Sequence, residues 1–222
     1  MLLTTPRKPI RAVLFDLDGT LIHTHIDFDR MKREILELVA AAGLDAEIFR
    51  QQDILSILSS AAPQLEDASE FLAEADAALV RIELGACEGA TEAEGAAEML
   101  QWLLDRDIRV GIVTRNSPQA VERALSRIPL PHEVLLTRAD TPRVKPDPLH
   151  LRLALERLGA LPEYSVMVGD HRMDVQAGQA AGMRSVGVLT HERPAGYFDT
   201  LAPDAVIRVI PELKTWISPS SS

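Results

Sequence analysis

Hydrophobic residues along this chain fall into two kinds of pattern. Six short, continuous apolar runs rich in β-branched residues occur at 11–16 (RAVLFD), 108–114 (IRVGIVT), 133–137 (EVLLT), 164–170 (YSVMVGD), 185–190 (SVGVLT) and 204–209 (DAVIRV). Unbroken apolar runs, as opposed to alternating ones, predict strands covered on both faces. Between the later runs lie helical patterns with readable ends. Thr91 followed by Glu94 predicts a capping box opening a helix through GAAEMLQWLLDR. Ser117-Pro118 places a cap residue before a first-turn proline, and Pro148 opens LHLRLALERL, which Gly159 closes. Strands alternating with helices predict an α/β protein with a doubly wound, Rossmann-like parallel sheet.

The interval after the first run breaks that alternation. From about Leu21 to Cys87 there is no strand-like run. Phe28, Met31, Ile35, Leu38 and Ala42 follow helical spacing up to Gly43, and Leu65, Leu72, Leu79 and Ile82 mark another helix, with a segment around ILSILSSAA between. A crossover needs only about a dozen residues. The expectation is therefore an all-helical domain at 21–87 inserted into a core of 1–20 and 88–222, with ELGACEGAT (83–91) as the return hinge.

Composition narrows the class. The chain has 222 residues, 46% hydrophobic and 25% charged, as globular proteins do. No apolar run approaches the ~20 residues of a membrane helix. MLLTTPRKPI, broken by Pro6 and Pro9, does not read as a signal peptide, and the lone Cys87 excludes an internal disulfide, so a cytoplasmic location is expected. The tail SPSSS reads as disordered. A formal net charge of −10 argues against nucleic acid as a partner, since binding it requires a basic surface. A small anionic substrate is compatible if its site is made locally positive. Oligomeric state is not legible.

The first apolar run ends in two acids, Asp16 and Asp18, in VLFDLDGTLI. Residues two apart on a strand point the same way, and Gly19-Thr20 ends the strand there. In open α/β sheets ligands bind beyond the carboxyl ends of strands. Other strands should therefore carry polar groups at the same end, and they do: Thr114-Arg115-Asn116, Asp170 with Asp174 one turn later, and Lys145 ahead of PDP at a helix start. Burying carboxylates is costly unless cations or hydrogen bonds compensate.

These residues resemble the haloacid dehalogenase-like hydrolases. DLDGT is similar to their first motif, Thr114 to the second, Lys145 to the third and GDHRMD to the acidic fourth, in order across nearly the whole chain. The helical insertion resembles the cap of the phosphoglycolate phosphatase-like branch. The resemblance implies a Mg²⁺-dependent phosphatase of a small phosphorylated metabolite. Asp16 would be the nucleophile forming an aspartyl-phosphate, and Asp18 the acid and base; Gly19, Thr114, Arg115 and Lys145 would hold phosphate. Asp16, the Asp18 backbone carbonyl, Asp170 and Asp174 would bind metal. Asp174 stays open between ligating directly and orienting Lys145 or a metal-bound water. Arg115 departs from the usual Ser/Thr-Asn pair and is read either as a substrate contact or as exposed. His171 stands where Ser or Thr is common.

Rival readings are weaker. His23 and His25 form an H-x-H without a supporting cysteine or histidine cluster, so entry-loop or substrate-contacting histidines fit them better than a zinc site. A dehalogenase needs no Asp18. A phosphomutase shares the core and differs in cap residues, and phosphonate cleavage would require Lys32 in a Schiff base. A receiver-like or degenerate, non-catalytic phosphate sensor would bind without turnover. Met99, Trp102 and Leu103 are expected in the core.

Overall fold

The computed structural model describes residues 8–190 and 193–218. The expectations for the extreme N-terminal segment and for the SPSSS tail fall mostly outside that range. The chain divides into two compact units, one running up to Thr24 and from Ala90 onward, the other His25–Gly89.

In the first unit the strands are β1 (Ala12–Phe15), β2 (Ile22–His23), β3 (Thr91–Glu92), β4 (Arg109–Val113), β5 (Val134–Leu136), β6 (Ser165–Gly169), β7 (Arg184–Val188) and β8 (Ala205–Ile207). Six of them form one sheet in the order β5-β4-β1-β6-β7-β8, every pairing parallel. All six apolar runs thus become strands of one sheet. β1 is central, with no residue of Ala12–Phe15 reaching solvent. The chain builds outward through β4 and β5 and then returns to β6 on the other side of β1. That reversal creates a crevice at the carboxyl ends of β1, β4 and β6.

The helices of the second unit are α1 (Phe28–Ala41), α2 (Ile54–Ala61) and α3 (Ser69–Cys87); those of the first are α4 (Ala96–Leu104), α5 (Pro118–Arg127), α6 (Leu149–Leu158), α7 (Arg172–Ala180) and α8 (Glu212–Ile217). The Ser117 side chain caps α5 by accepting from Ala120 N–H, and Gly159 closes α6 in the left-handed region, as expected. Leu151, Leu155 and Leu158 of α6 pack with Leu14, Val113 and Met167 in the sheet core.

Several expectations are corrected. Thr91 and Glu94 do not open α4. Thr91 pairs with His23 in the small antiparallel β2–β3 ladder, and Gly95 (φ 67°) is the cap residue. A ladder hydrogen bond takes the place of the cap. Glu92, not Glu94, reaches the helix start, accepting from Ala97 N–H at 2.8 Å. The segment 83–91 is mostly not a hinge, because α3 continues to Cys87, supported by buried Ile82, Glu83 and Cys87. On α3 the buried face is Phe71, Ala75, Leu79 and Ile82; Leu72 is exposed and Leu65 precedes the helix. Phe28 is likewise exposed. Trp102 is half-buried beneath the Arg106 guanidinium, 4.2 Å away, while Met99 and Leu103 are core. The β2–β3 pair keeps 21–24 with the first unit, so the units part at 24/25 and 89/90 and not at 20/21 and 87/88.

The second unit has its own core. Met31, Ile35 and Val39 of α1 meet Phe49, Ile57, Phe71, Ala75, Leu79 and Ile82. Among the described residues, no helix is long and apolar enough to cross a membrane.

Candidate active site

At the end of β1 the backbone N–H of Asp16 still bonds Val168 on β6 (2.9 Å), so the sheet itself positions that carboxylate. β6 ends in Gly169 and delivers Asp170; α7 begins two residues later and carries Asp174 in its first turn. One oxygen from each of Asp16, Asp170 and Asp174 lies within 4.8 Å of the others, and all three are buried.

Two glycines make this crowding possible. A Cβ on Gly19, whose φ is +81°, would lie 2.7 Å from the Asp170 carboxyl carbon. A Cβ on Gly169 would collide with that of Asp174. A side chain at either position would displace an acid from the cluster.

Lys145 is the counter-charge. Its side chain is 1% exposed, and its ammonium donates to Asp16 Oδ1 at 2.6 Å and to Asp174 Oδ1 at 2.7 Å. The other Asp174 oxygen accepts from His171 N–H at 3.0 Å. His171 caps α7 in turn, its Nδ1 accepting from Met173 N–H at 3.2 Å. Histidine thus fills the capping role that Ser or Thr would otherwise serve.

The electrostatics follow from this arrangement. Burial works to lower the Lys145 pKa, but the Asp16 and Asp174 carboxylates outweigh it and hold the ammonium above its usual range. Burial drives Asp16 well above the ordinary carboxylate range; Lys145 opposes this, and Asp174 and Asp170 add to it. Burial, then Asp174, pushes Asp170 up to about 6, with Arg193 and Lys145 easing the shift. Three buried acids against one buried lysine leave the cluster short of positive charge. An all-oxygen donor set of this kind could hold a hard divalent cation, which would bring those values back down. The residues fit such an ion.

Asp18 lies apart from this group. Its two carboxylate oxygens accept from the Thr24 hydroxyl and the Asn116 side-chain amide. Thr114 is buried at the end of β4, with its hydroxyl accepting from Asn116 N–H at 3.2 Å. Thr20 ties the first and fourth motifs together, its hydroxyl accepting from Asp170 N–H at 3.0 Å. Arg115 is half-buried and turned toward the Met173 sulfur. His23 is exposed on β2, and His25 lies in the other compact unit.

Two participants, Thr24 and Arg193, were not singled out from sequence, and Asn116 was named only as a strand-end polar residue with no role of its own. Thr24 and Asn116 grip Asp18, and Arg193, after β7, lies 3.7 Å from Asp170 Oδ2. The rule that strand ends carry function would have pointed to the segment after β7, had it been applied to that strand too.

A sheet of this order thus carries, at its carboxyl edge, a lysine that bridges two acids. The family model for haloacid dehalogenase-like hydrolases matches residues 10–182. The pyrophosphatase PpaX of Bacillus mycoides (strain KBAB4) is 32% identical over 222 residues, covering 92% of this chain and 95% of that protein. A HAD family hydrolase from Deinococcus radiodurans R1, solved with bound phosphate and sodium, is 27% identical with a TM-score of 0.63, covering 93% and 94% of the two chains. A haloacid dehalogenase-like hydrolase from Bacteroides fragilis shares the fold at a TM-score of 0.69 and 23% identity, covering 92% and 99%. The chain belongs to the haloacid dehalogenase-like hydrolases and is an enzyme of their phosphatase kind.

Proposed function

We propose that this protein is a Mg²⁺-dependent phosphatase that hydrolyses a small phosphorylated metabolite through an aspartyl-phosphate on Asp16. The observation that carries the reading is Lys145 bridging Asp16 and Asp174 within a cluster of three acids, two at neighbouring strand ends and one in the first turn of α7. Lys145 engages one Asp16 oxygen and fixes the carboxylate's orientation toward an incoming phosphorus. Attack forms an Asp16–phosphoryl bond as the ester bond breaks, splitting hydrolysis into two easier displacements. Asp18, held by Thr24 and Asn116, donates a proton to the leaving oxygen and later accepts one from the attacking water. Thr114, the Gly19 backbone, Arg115 and Lys145 hold the phosphoryl oxygens as charge moves across them.

Asp16, the Asp18 carbonyl and Asp170 would hold the Mg²⁺. Bound there, the ion offsets the repulsion between an anionic nucleophile and an anionic substrate. Both Asp174 oxygens are engaged, by Lys145 and by His171 N–H, which favours the reading of Asp174 as the residue that orients Lys145. The helical unit His25–Gly89 serves as the cap that sets substrate preference. The name of the PpaX relative makes inorganic pyrophosphate a leading substrate to try, and the single cysteine is consistent with a cytoplasmic setting.

The test is phosphate release from pyrophosphate, phosphoglycolate, sugar phosphates, nucleotides and an aryl phosphate, with Mg²⁺ and with EDTA. Release that EDTA abolishes is the expected result. A folded protein that binds Mg²⁺ and releases phosphate from none of them overturns the phosphatase reading.

A further inference from the structure

The segment after β7 carries a guanidinium that the chemistry above does not use. Arg193 lies over the Tyr197 ring, 4.9 Å from its centroid, with Nη2 3.7 Å from Asp170 Oδ2. The ring is itself wedged in place. Its edge meets Phe198 at 4.9 Å and 75° and His171 at 6.3 Å and 73°. Phe198 is buried so tightly on β7 that a Cβ on Gly187 would lie 2.7 Å from it. Arg172, the first residue of α7, donates to Tyr197 O at 3.2 Å and to Thr200 Oγ1 at 2.6 Å, and Gln179 donates to Leu201 O at 2.8 Å. The aromatic shelf is therefore fastened to the helix that carries Asp174.

A guanidinium committed to a carboxylate closes to about 2.7–2.9 Å. Arg193 stays at 3.7 Å, with its side chain 35% exposed while Asp170 is 12% exposed. Such a half-exposed pair by itself is worth little. Its placement matters more: a partly exposed planar fork of donors stands beside the acid cluster, while Lys145, wholly buried, already serves two carboxylates. A divalent ion held by the acids would compensate Asp170, and the Arg193 guanidinium would then be available to an anion. Arginine suits a phosphate there because its donors match two oxygens at once.

We propose that Arg193, shelved on Tyr197, binds a second phosphoryl group, so that the site takes substrates with two adjoining phosphoryl groups, inorganic pyrophosphate foremost. This rests on the phosphatase reading above and names its substrate class. In turnover Asp16 bonds to one phosphorus and the bridging P–O bond breaks. The departing phosphate, held by Arg193, takes the Asp18 proton, and water then releases the second phosphate.

Binding and kinetics test it together. In Mg²⁺-loaded Asp16→Asn protein, adding Arg193→Gln should weaken pyrophosphate binding about 30-fold by calorimetry, while inorganic phosphate changes less than about threefold. In the otherwise native enzyme, the kcat/KM ratio of pyrophosphate to an aryl phosphate should fall by a similar factor. Arg193→Lys, which keeps the charge and loses the fork, should fall between, and Tyr197→Leu should follow Arg193→Gln more weakly. Equal losses for both ligands would overturn the proposal in favour of a role at the acid cluster. No loss would reduce Arg193 to a rim ion pair and overturn it too. A wild-type protein that turns over nothing, yet shows the selective binding loss, would sink the reaction and keep the subsite.

Discussion

The strand-end cluster of the core and the helical unit at 25–89 hold their charges by different physics. In the core, Lys145 and Asp174 are almost completely withdrawn from water and Asp16 is 13% exposed, and the two carboxylates rely on the one lysine for compensation. In the helical unit, Glu34 bridges Arg30 and Arg81, and Arg50 pairs with Glu47, all at the surface. The unit is held instead by its apolar core around Ile35, Phe49 and Ile57. Buried charges with one arrangement are suited to chemistry, because little reorganises when charge moves. Exposed pairs on an independent apolar core can change without loss of fold.

Substitutions should separate the two regions sharply. Asp16→Asn removes the nucleophile's charge and keeps its volume. Turnover should fall by at least about 10⁴-fold, and the metal-free variant should melt higher than wild type because one of three mutually repelling buried acids is gone. A variant retaining native turnover would refute the role of Asp16. Lys145→Ala leaves Asp16 and Asp174 buried without their partner. Expected are a loss of roughly 10²–10⁴ in kcat/KM and a destabilisation on the order of 3 kcal/mol in EDTA, smaller with Mg²⁺, read by denaturant melts in both buffers.

A smaller effect concerns pH. His150 on α6 is buried, its Nε2 bonded to the Thr137 carbonyl at 3.1 Å. Burial, then Lys145, lowers its pKa from 6.5 to about 4. The unfolded chain takes up a proton between those values that the folded chain does not. His150 therefore favours folding above about pH 6.5, and that stability is lost as pH falls toward 4, by roughly 2–3 kcal/mol. His150→Gln, which keeps an amide donor for Thr137, should show a correspondingly flatter stability profile over that window. A profile parallel to wild type would contradict the assignment. The smallest effect belongs to the helical unit. Glu34→Gln, which weakens both of its ion pairs, should shift the melting temperature by no more than about 2 °C. A large drop would mean the surface pairs do hold that unit together.

The same contrast governs what was legible in the sequence. The six strands were, because burial on both faces writes unbroken apolar runs. The candidate site residues stood out because Asp16, Thr114 and Asp170 directly follow strands, while Lys145 precedes α6 and Asp174 lies in the first turn of α7. The Thr91–Glu94 capping box failed because pairing with His23, far away in the chain, decided the local conformation. Helix α3 ran through Gly85 because its buried face continues to Cys87. Asn116 went unassigned because its partner Asp18 lies 98 residues away, and Arg193 because stacking on Tyr197 leaves no periodic mark. What the helical unit meets is illegible for a related reason: exposed polar residues carry no signature of their partners.

The claim on which all of this turns is that Asp16 becomes phosphorylated. Mg²⁺-loaded enzyme should be mixed with a substrate it hydrolyses, quenched in acid during turnover, digested and mapped by mass spectrometry. The expected result is a base-labile phosphoryl group on the peptide containing Asp16, absent in Asp16→Asn and in EDTA. Turnover with no such adduct, or with the phosphoryl group on another residue, would contradict it.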